Sequence, residues 1–152
     1  MAVEQVRYSA DGWGVGELWL EDGVLVWHEL PRPDAERGFP NHPLGERMAA
    51  YFAGERVDFG DVPLDLEWCT PFQRSVADAL RAVPYGETVT YGELAALAGH
   101  PNAQRAAGSF CAGNRTPLVM PCHRVVAAVG LGSYGSLGVE YKRRLLALED
   151  AL

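Results

Sequence analysis

Twenty residues apart, the chain carries the same helix-opening device twice: Thr70-Pro71-Phe72-Gln73 and Thr90-Tyr91-Gly92-Glu93. In each, the threonine side chain can accept from the backbone N–H three residues on, while the Gln or Glu there reaches back to the threonine N–H. Pro71 falls at the first helical position, where no intrahelical bond is lost. Phe72, Val76, Ala79, Leu80 and Val83 share one face of the first helix, which Pro84-Tyr85-Gly86 stops. The second helix runs through Ala98, with Gly99 as its stop. After His100-Pro101-Asn102 a third can run from Ala103 to about Ala112. The second half is therefore predicted as short helices.

Two short helices joined by a tight turn make a helix-turn-helix candidate. The small residues Ala103, Ala106, Ala107, Gly108 and Ser109 let the later helix approach another surface closely. An ordinary, tightly packed helix pair is the plainer reading of that pattern. A DNA-reading helix would need Gln104 and Arg105 to face outward at its start.

The first third reads differently. Gly14–Leu20 and Val24–Leu30 are short runs rich in Val, Leu and Trp, and Glu21-Asp22-Gly23 between them is a hairpin signal. Pro31 to Pro43 holds four prolines and reads as a loop. Leu44 to Ala53 sets Leu44, Met48, Tyr51 and Phe52 on one helical face, with Gly54 as the stop. Val57 to Trp68 reads as an extended linker. The predicted organisation is thus α/β of the α+β kind, with a sheet-and-helix domain over 1–64 and a mostly helical domain over 65–152.

Charge follows the same division. The net of −7 over 152 residues argues against a nucleic-acid binder when taken whole. Residues 1–69, however, carry five basic against fourteen acidic side chains, a net of −9, and residues 70–152 eight against six, a net of +2. With 48% hydrophobic and 22% charged residues, the composition is that of a globular protein. The opening MAVEQVRYSADG lacks the apolar core of a secretory signal, and no apolar run reaches the ~20 residues of a membrane helix. Three cysteines, Cys69, Cys111 and Cys122, are an odd number, which with no export signal predicts free thiols in a reducing cytoplasm. No CxxC or HxxxH spacing suggests a metal site.

Chemistry concentrates at Met120-Pro121-Cys122-His123-Arg124-Val125. A thiol becomes a nucleophile when positive charge or a base favours its thiolate. A histidine next in the chain does not ordinarily point at the preceding sulfur, so a bridging water or a tight turn is required. An isolated cysteine is otherwise a small buried hydrophobe.

The string Pro-Cys-His-Arg-Val-Val resembles the active-site motif of the O6-alkylguanine-DNA alkyltransferases. Thr70–Leu97, Asn102–Asn114 and Gly132–Glu149 resemble that family's core segment, its recognition helix with the asparagine that follows, and its closing loop with the last helix. The resemblance covers about residues 65–152 and is weak over 1–64. It implies a small N-terminal sheet domain of ribonuclease H-like character and a C-terminal winged helix-turn-helix domain.

The resemblance further implies direct, irreversible and single-turnover transfer of the alkyl group from O6-alkylguanine, and from O4-alkylthymine, in double-stranded DNA to Cys122. No cofactor and no metal is implied, and the protein would act as a monomer, with cooperativity along DNA left open. His123 and Glu149 would complete a relay that deprotonates Cys122 through a water, and Tyr91 would give a proton to the leaving guanine. Arg105 would fill the gap left by a flipped nucleotide, with Gln104 beside it and with Ala106 and Gly108 letting the helix enter the minor groove. Asn114 would link that helix to the active-site turn. The carbonyls of Cys122 and Val125 would receive the guanine amino group. Tyr134 and Ser136 would wall the pocket, Gly135 or Ser136 offering an amide to O6. Arg124 is grouped with these DNA-facing residues, and Lys142 matches a lysine of the last helix. Asn114-Arg115-Thr116-Pro117 departs from the family's commoner Asn-Pro.

Two other classes fit parts of the pattern. An alkyltransferase-like lesion-binding protein would lack the nucleophile that Cys122 supplies. A redox-sensing winged-helix regulator would not require Tyr91, Arg105, Asn114 and Glu149 together. A cysteine hydrolase would need an oxyanion hole, which nothing in the sequence indicates.

Overall fold

The structure, a computed structural model, describes residues 2–33, 35 and 42–152. The chain divides into two compact units, Met1–Asp65 with Arg115–Pro117, and Leu66–Asn114 with Leu118–Leu152. Arg115–Pro117, from the second half of the sequence, thus pack with the first unit.

In the first unit β1 (Val3–Ala10), β2 (Gly14–Glu21) and β3 (Val24–Arg32) form an antiparallel sheet in sequential order. The expected Asp-Gly turn joins β2 to β3: Glu21 faces Val24, and Asp22 and Gly23 have φ of 50° and 83°, as a two-residue hairpin with the favoured twist demands. β1 was not among the expected strands, although Val6, Tyr8 and Ala10 alternate inward. β3 runs on to Arg32, through a proline expected in the loop; most of that proline-rich stretch, 34 and 36–41, lies outside the described residues.

The helix α1 (Pro43–Phe52) packs on β1 and buries the four side chains assigned to its inner face, Leu44, Met48, Tyr51 and Phe52. Gly54, at φ 99°, and Glu55 close it with bonds to Tyr51 and Ala50 carbonyls at 3.0 and 3.1 Å. Tyr8 fills the centre of this unit and dictates its cross-strand partner: a Cβ on Gly16 would lie 2.2 Å from the Tyr8 ring. Only glycine fits there. The Tyr8 hydroxyl is 2.6 Å from His28 Nε2, and His28 Nδ1 is 2.7 Å from the Pro117 carbonyl. A carbonyl only accepts, so Nδ1 carries the proton and Nε2 accepts from Tyr8. Burial lowers the His28 pKa to about 4, against the Pro117 bond, so the ring is neutral.

The second unit holds α2 (Pro71–Arg81), β4 (Val89–Thr90), α3 (Tyr91–Leu97), α4 (Gln104–Ala112), β5 (Val125–Val126) and α5 (Val139–Leu148), with short 3-10 turns at Cys122–Arg124 and Gly135–Leu137. Both capping boxes form: Gln73 N and Glu93 N each donate to the threonine hydroxyl at 3.1 Å, and each threonine N–H donates back at 2.9 Å. Gly99, at φ 85°, ends α3 by the double bond expected of such a stop, Gly99 N to Ala96 O and His100 N to Ala95 O, both 2.9 Å. Val76, Leu80, Leu94, Ala95, Ala107 and Phe110 make one core beneath α2, α3 and α4. No helix among the described residues is long and apolar enough to cross a membrane.

Candidate active site

The nucleophile candidate sits where several local devices converge. Pro121, at φ −81° and ψ 64°, forms an inverse γ-turn closed by Cys122 N donating to Met120 O at 2.8 Å. The chain then tightens into the 3-10 turn Cys122–Arg124, with Arg124 N on Pro121 O at 2.9 Å. Leu118, four residues earlier, has φ 79°, a conformation that costs a leucine ~1 kcal/mol or more. Asn114 Nδ2 also donates to Met120 O, at 2.8 Å, so the residue after α4 holds the approach to the turn.

A second tie comes from the strands. β4 leads directly into α3, whose first residue is Tyr91, and β5 leaves directly from the Cys122 turn. The two pair in parallel, Val89 with Val125 and Thr90 with Val126. Tyr91 and Cys122 are therefore set by one pairing, with Val125 fully buried beneath them.

Behind the thiol lies a buried charge network. His123 Nε2 is 2.6 Å from Glu149 Oε2, and both side chains are wholly buried. Arg124 grips the same carboxylate with two prongs, Nε to Oε1 at 2.8 Å and Nη2 to Oε2 at 3.0 Å, while its Nη1 donates to Val83 O at 2.9 Å. Gly86 N adds a further bond to Oε1 at 3.0 Å. Burial pushes Glu149 upward, but the bonds and charges of His123 and Arg124 outweigh it and hold the carboxyl well below its ordinary range. An ionised Glu149 only accepts, so His123 Nε2 carries the proton and Nδ1 presents a lone pair. Nδ1 is buried and, among the described residues, has no hydrogen-bond partner. Burial holds the ring's pKa down against the pull of Glu149, which leaves a neutral imidazole able to take a proton.

Cys122 is 4% exposed. Burial pushes the Cys122 thiol well above the ordinary cysteine value, its hydrogen bond with Cys111 adds to this, and Asn114 and Lys142 oppose it. Cys111 moves down, by accepting that bond and by the charge of Lys142, against its own burial. Lys142 is fully buried, with Nζ donating to Ser133 O at 3.2 Å and lying 5.7 Å from the Tyr91 ring centroid. Tyr91 is half-buried between Gly108 and Gly132, where added Cβ atoms would come to 3.6 and 3.3 Å of its ring. Burial raises its pKa, with the two thiols adding to the effect, so its hydroxyl stays a donor.

The remaining expected site residues separate by exposure. Gln104, Arg105, Ala106 and Ser109 form an exposed stripe on α4, and Ser136 is exposed in the 135–137 turn. The Tyr134 hydroxyl is buried without a hydrogen-bond partner among the described residues, and its ring stacks 6.5 Å from Tyr141. Gly108 is turned toward Tyr91 as well as edging the stripe, so its small size also makes room inside the unit. Arg124, expected among the DNA-facing residues, is a correction: it is 7% exposed and committed to Glu149 and Val83. A guanidinium placed beside a buried carboxylate satisfies that charge first. Cys111 was not among the expected site residues, and no spacing rule signals that it packs against the core cluster that contains Cys122.

Residues 71–151 match the family described as 6-O-methylguanine DNA methyltransferase, DNA binding domain. The chain belongs to this family. A methylated-DNA–protein-cysteine methyltransferase of Methanopyrus kandleri is 46% identical over 121 residues, spanning 79% of this chain and 88% of the relative. That of Mycolicibacterium paratuberculosis is 50% identical over 81% of this chain and 69% of the relative. Among solved structures, Mycobacterium tuberculosis OGT in complex with DNA superposes with a TM-score of 0.80 at 37% identity, covering 97% of this chain and 92% of that one. The O6-methylguanine-DNA methyltransferase of Pyrococcus kodakaraensis reaches 0.67 at 27% identity, covering 97% of each. These family relatives span both units of the present fold.

Proposed function

We propose that this protein repairs DNA by moving the alkyl group of O6-alkylguanine onto Cys122, once per molecule. The observation that carries the reading is the buried His123 of the nucleophile turn, whose Nε2–H is held by Glu149 and whose Nδ1 lone pair has no partner among the described residues. Because burial keeps Cys122 protonated at rest, the proton must leave as the sulfur attacks. His123 accepts it through a bridging water, and Glu149 stabilises the imidazolium that results. The sulfur bonds to the alkyl carbon, the carbon–O6 bond breaks, and its electron pair passes to the guanine. Tyr91 supplies the leaving base with a proton. The Lys142 ammonium, near Tyr91 and both thiols, offsets negative charge there. The thioether formed has no reverse route through water or thiol.

The reacting carbon is beyond reach of a buried sulfur in stacked DNA, so the nucleotide must rotate out. The exposed α4 stripe suits insertion: Arg105 occupies the gap, and Ala106 with its small neighbours allows close approach to the groove. Asn114 couples this helix to the Cys122 turn through Met120 O. The carbonyls of Cys122 and Val125 take the guanine amino group, with Tyr134 and Ser136 at the pocket wall. Cys69, Cys111 and Cys122 as free thiols suit a reducing cytoplasm.

The test is intact-mass analysis after incubation with duplex DNA containing O6-methylguanine. A gain of one methyl on the Cys122 peptide, absent in Cys122→Ala, is expected. Lesion binding with unchanged protein mass would replace this reading with that of a lesion-binding module.

A further inference from the structure

We propose that His28 is a positioning residue for the Cys122 turn: two hydrogen bonds from this one residue of β3 fix the loop Arg115–Pro117, and the fixed loop sets the chain that leads to the nucleophile. The consequence for transfer rests on the reading of Cys122 as the alkyl acceptor; the hold on the loop does not. The backbone N–H of His28 donates to Arg115 O at 2.9 Å, and its side chain to Pro117 O at 2.7 Å. His28 is 3% exposed, and the wholly buried Tyr8 donates to its Nε2 at 2.6 Å. That bond keeps the ring proton on Nδ1, where the Pro117 carbonyl takes it. Polar groups buried in this way have no water to replace a lost partner, so the loop cannot peel away without leaving them unsatisfied.

The path from this clasp to the thiol runs along the backbone. The Pro117 carbonyl shares a planar peptide group with the Leu118 nitrogen, so a bond to that oxygen orients the plane from which the Leu118 φ is measured. Leu118 stands at φ 79° and is 2% exposed, in a left-handed conformation that a leucine adopts only under outside restraint. Two residues further on, Met120 O accepts from Asn114 Nδ2 and from Cys122 N, both at 2.8 Å. Asn114 directly precedes the clasped loop and Leu118 directly follows it. Freed from His28, the Pro117–Leu118 peptide could rotate and Leu118 relax to negative φ. Met120 O would then leave the place on which the Cys122 turn closes.

The experiment measures single-turnover methyl transfer from saturating O6-methylguanine duplex DNA, below the Tm of every variant, with DNA affinity measured alongside. His28→Leu removes both side-chain bonds, to Tyr8 and to Pro117. His28→Asn keeps a donor near the place of Nδ1. Val6→Ala thins the buried core of the same sheet and leaves the bonds of the clasp intact. His28→Leu should slow transfer by about tenfold or more with DNA affinity within about twofold of the parent, as a misplaced nucleophile would. His28→Asn should recover most of the rate, and Val6→Ala, though less stable, should transfer at the parent rate. Parent-like transfer in His28→Leu, no recovery in His28→Asn, or equal slowing in Val6→Ala would overturn the proposal. Should His28→Leu fail to fold, amide exchange of the unmodified chain decides. The His28 N–H, which bonds to Arg115 O, should exchange as slowly as the amides of the central strand β2; exchange at the rate of an open loop would overturn the proposal. A parent protein that protects this amide but gains no methyl from lesion DNA would refute the repair reading alone.

Discussion

Replacing Arg124 with alanine probes the network behind the thiol most directly. The change deletes three N–H donors, two from Glu149 and one from the Val83 carbonyl, at 2.8, 3.0 and 2.9 Å. Glu149 is 2% exposed and retains only His123 Nε2 and Gly86 N of the partners described above. Removing one member of a buried ion pair costs ~3–5 kcal/mol. The two surviving bonds place the expectation at the lower end, about 3 kcal/mol. For a chain of 152 residues, each kcal/mol lowers Tm by roughly 2–4 °C, so the melting point should fall by about 6–12 °C. The loss must also depend on pH. Glu149 is held below its ordinary range when folded, so its stabilising contribution is complete above the unfolded value of about 4.3. It is lost as pH falls through the depressed folded value. Arg124→Ala raises that folded value, so the gap between the two proteins should be widest near neutral pH and narrow below about pH 4. Calorimetry over this pH range provides the assay, with Arg124→Lys, which keeps the charge without the fork, expected between the two. A Tm within about 2 °C of the parent at neutral pH, less than ~1 kcal/mol, would refute the buried network as drawn.

Tyr91→Phe should slow methyl transfer by about a hundredfold or more while leaving DNA affinity close to that of the parent; single-turnover quench-flow and a binding titration separate the two. Arg105→Ala should weaken action on duplex DNA far more than on a free O6-alkylated base, and equal losses on both would contradict an insertion role. His28 has a folded pKa of about 4, below its unfolded value, so the unfolded chain binds the extra proton first. Stability should therefore be complete above about pH 6.5 and decline between there and about pH 4. In His28→Gln this part of the Tm–pH curve should flatten.

The helices of the second unit were legible because their signals are local. Each capping box uses a threonine and a Gln or Glu three residues on, and Gly99 stops α3 within the same short window. The Asp22-Gly23 turn was legible for the same reason. Contacts that join distant positions were not. His123 meets Glu149 across 26 residues and Arg124 meets Val83 across 41; family resemblance suggested the first, and nothing in composition or spacing suggested the second. The resemblance groups Arg124 with the DNA-facing residues, and its pairing with a buried carboxylate 25 residues on is a long-range contact that no local signal shows. β1 escaped because Glu4, Gln5, Arg7 and Ser9 make its stretch look polar. Its inward residues Val6, Tyr8 and Ala10 become evident once Gly16 is seen to clear space for the Tyr8 ring.

The pairing of β4 with β5 has a consequence for how the molecule breathes. It is only two residues long on each strand, yet it closes a chain segment running from Val89 to Val126 that includes α3 and α4. So short a ladder contributes few backbone bonds, and its hold on the nucleophile turn comes mainly from packing, Val125 being wholly buried. Sub-global opening is expected to begin at such a seam rather than within α2. Amide hydrogen exchange at Val125 and Val126 should outpace that at Val76 to Leu80, and Val125→Ala should accelerate it further.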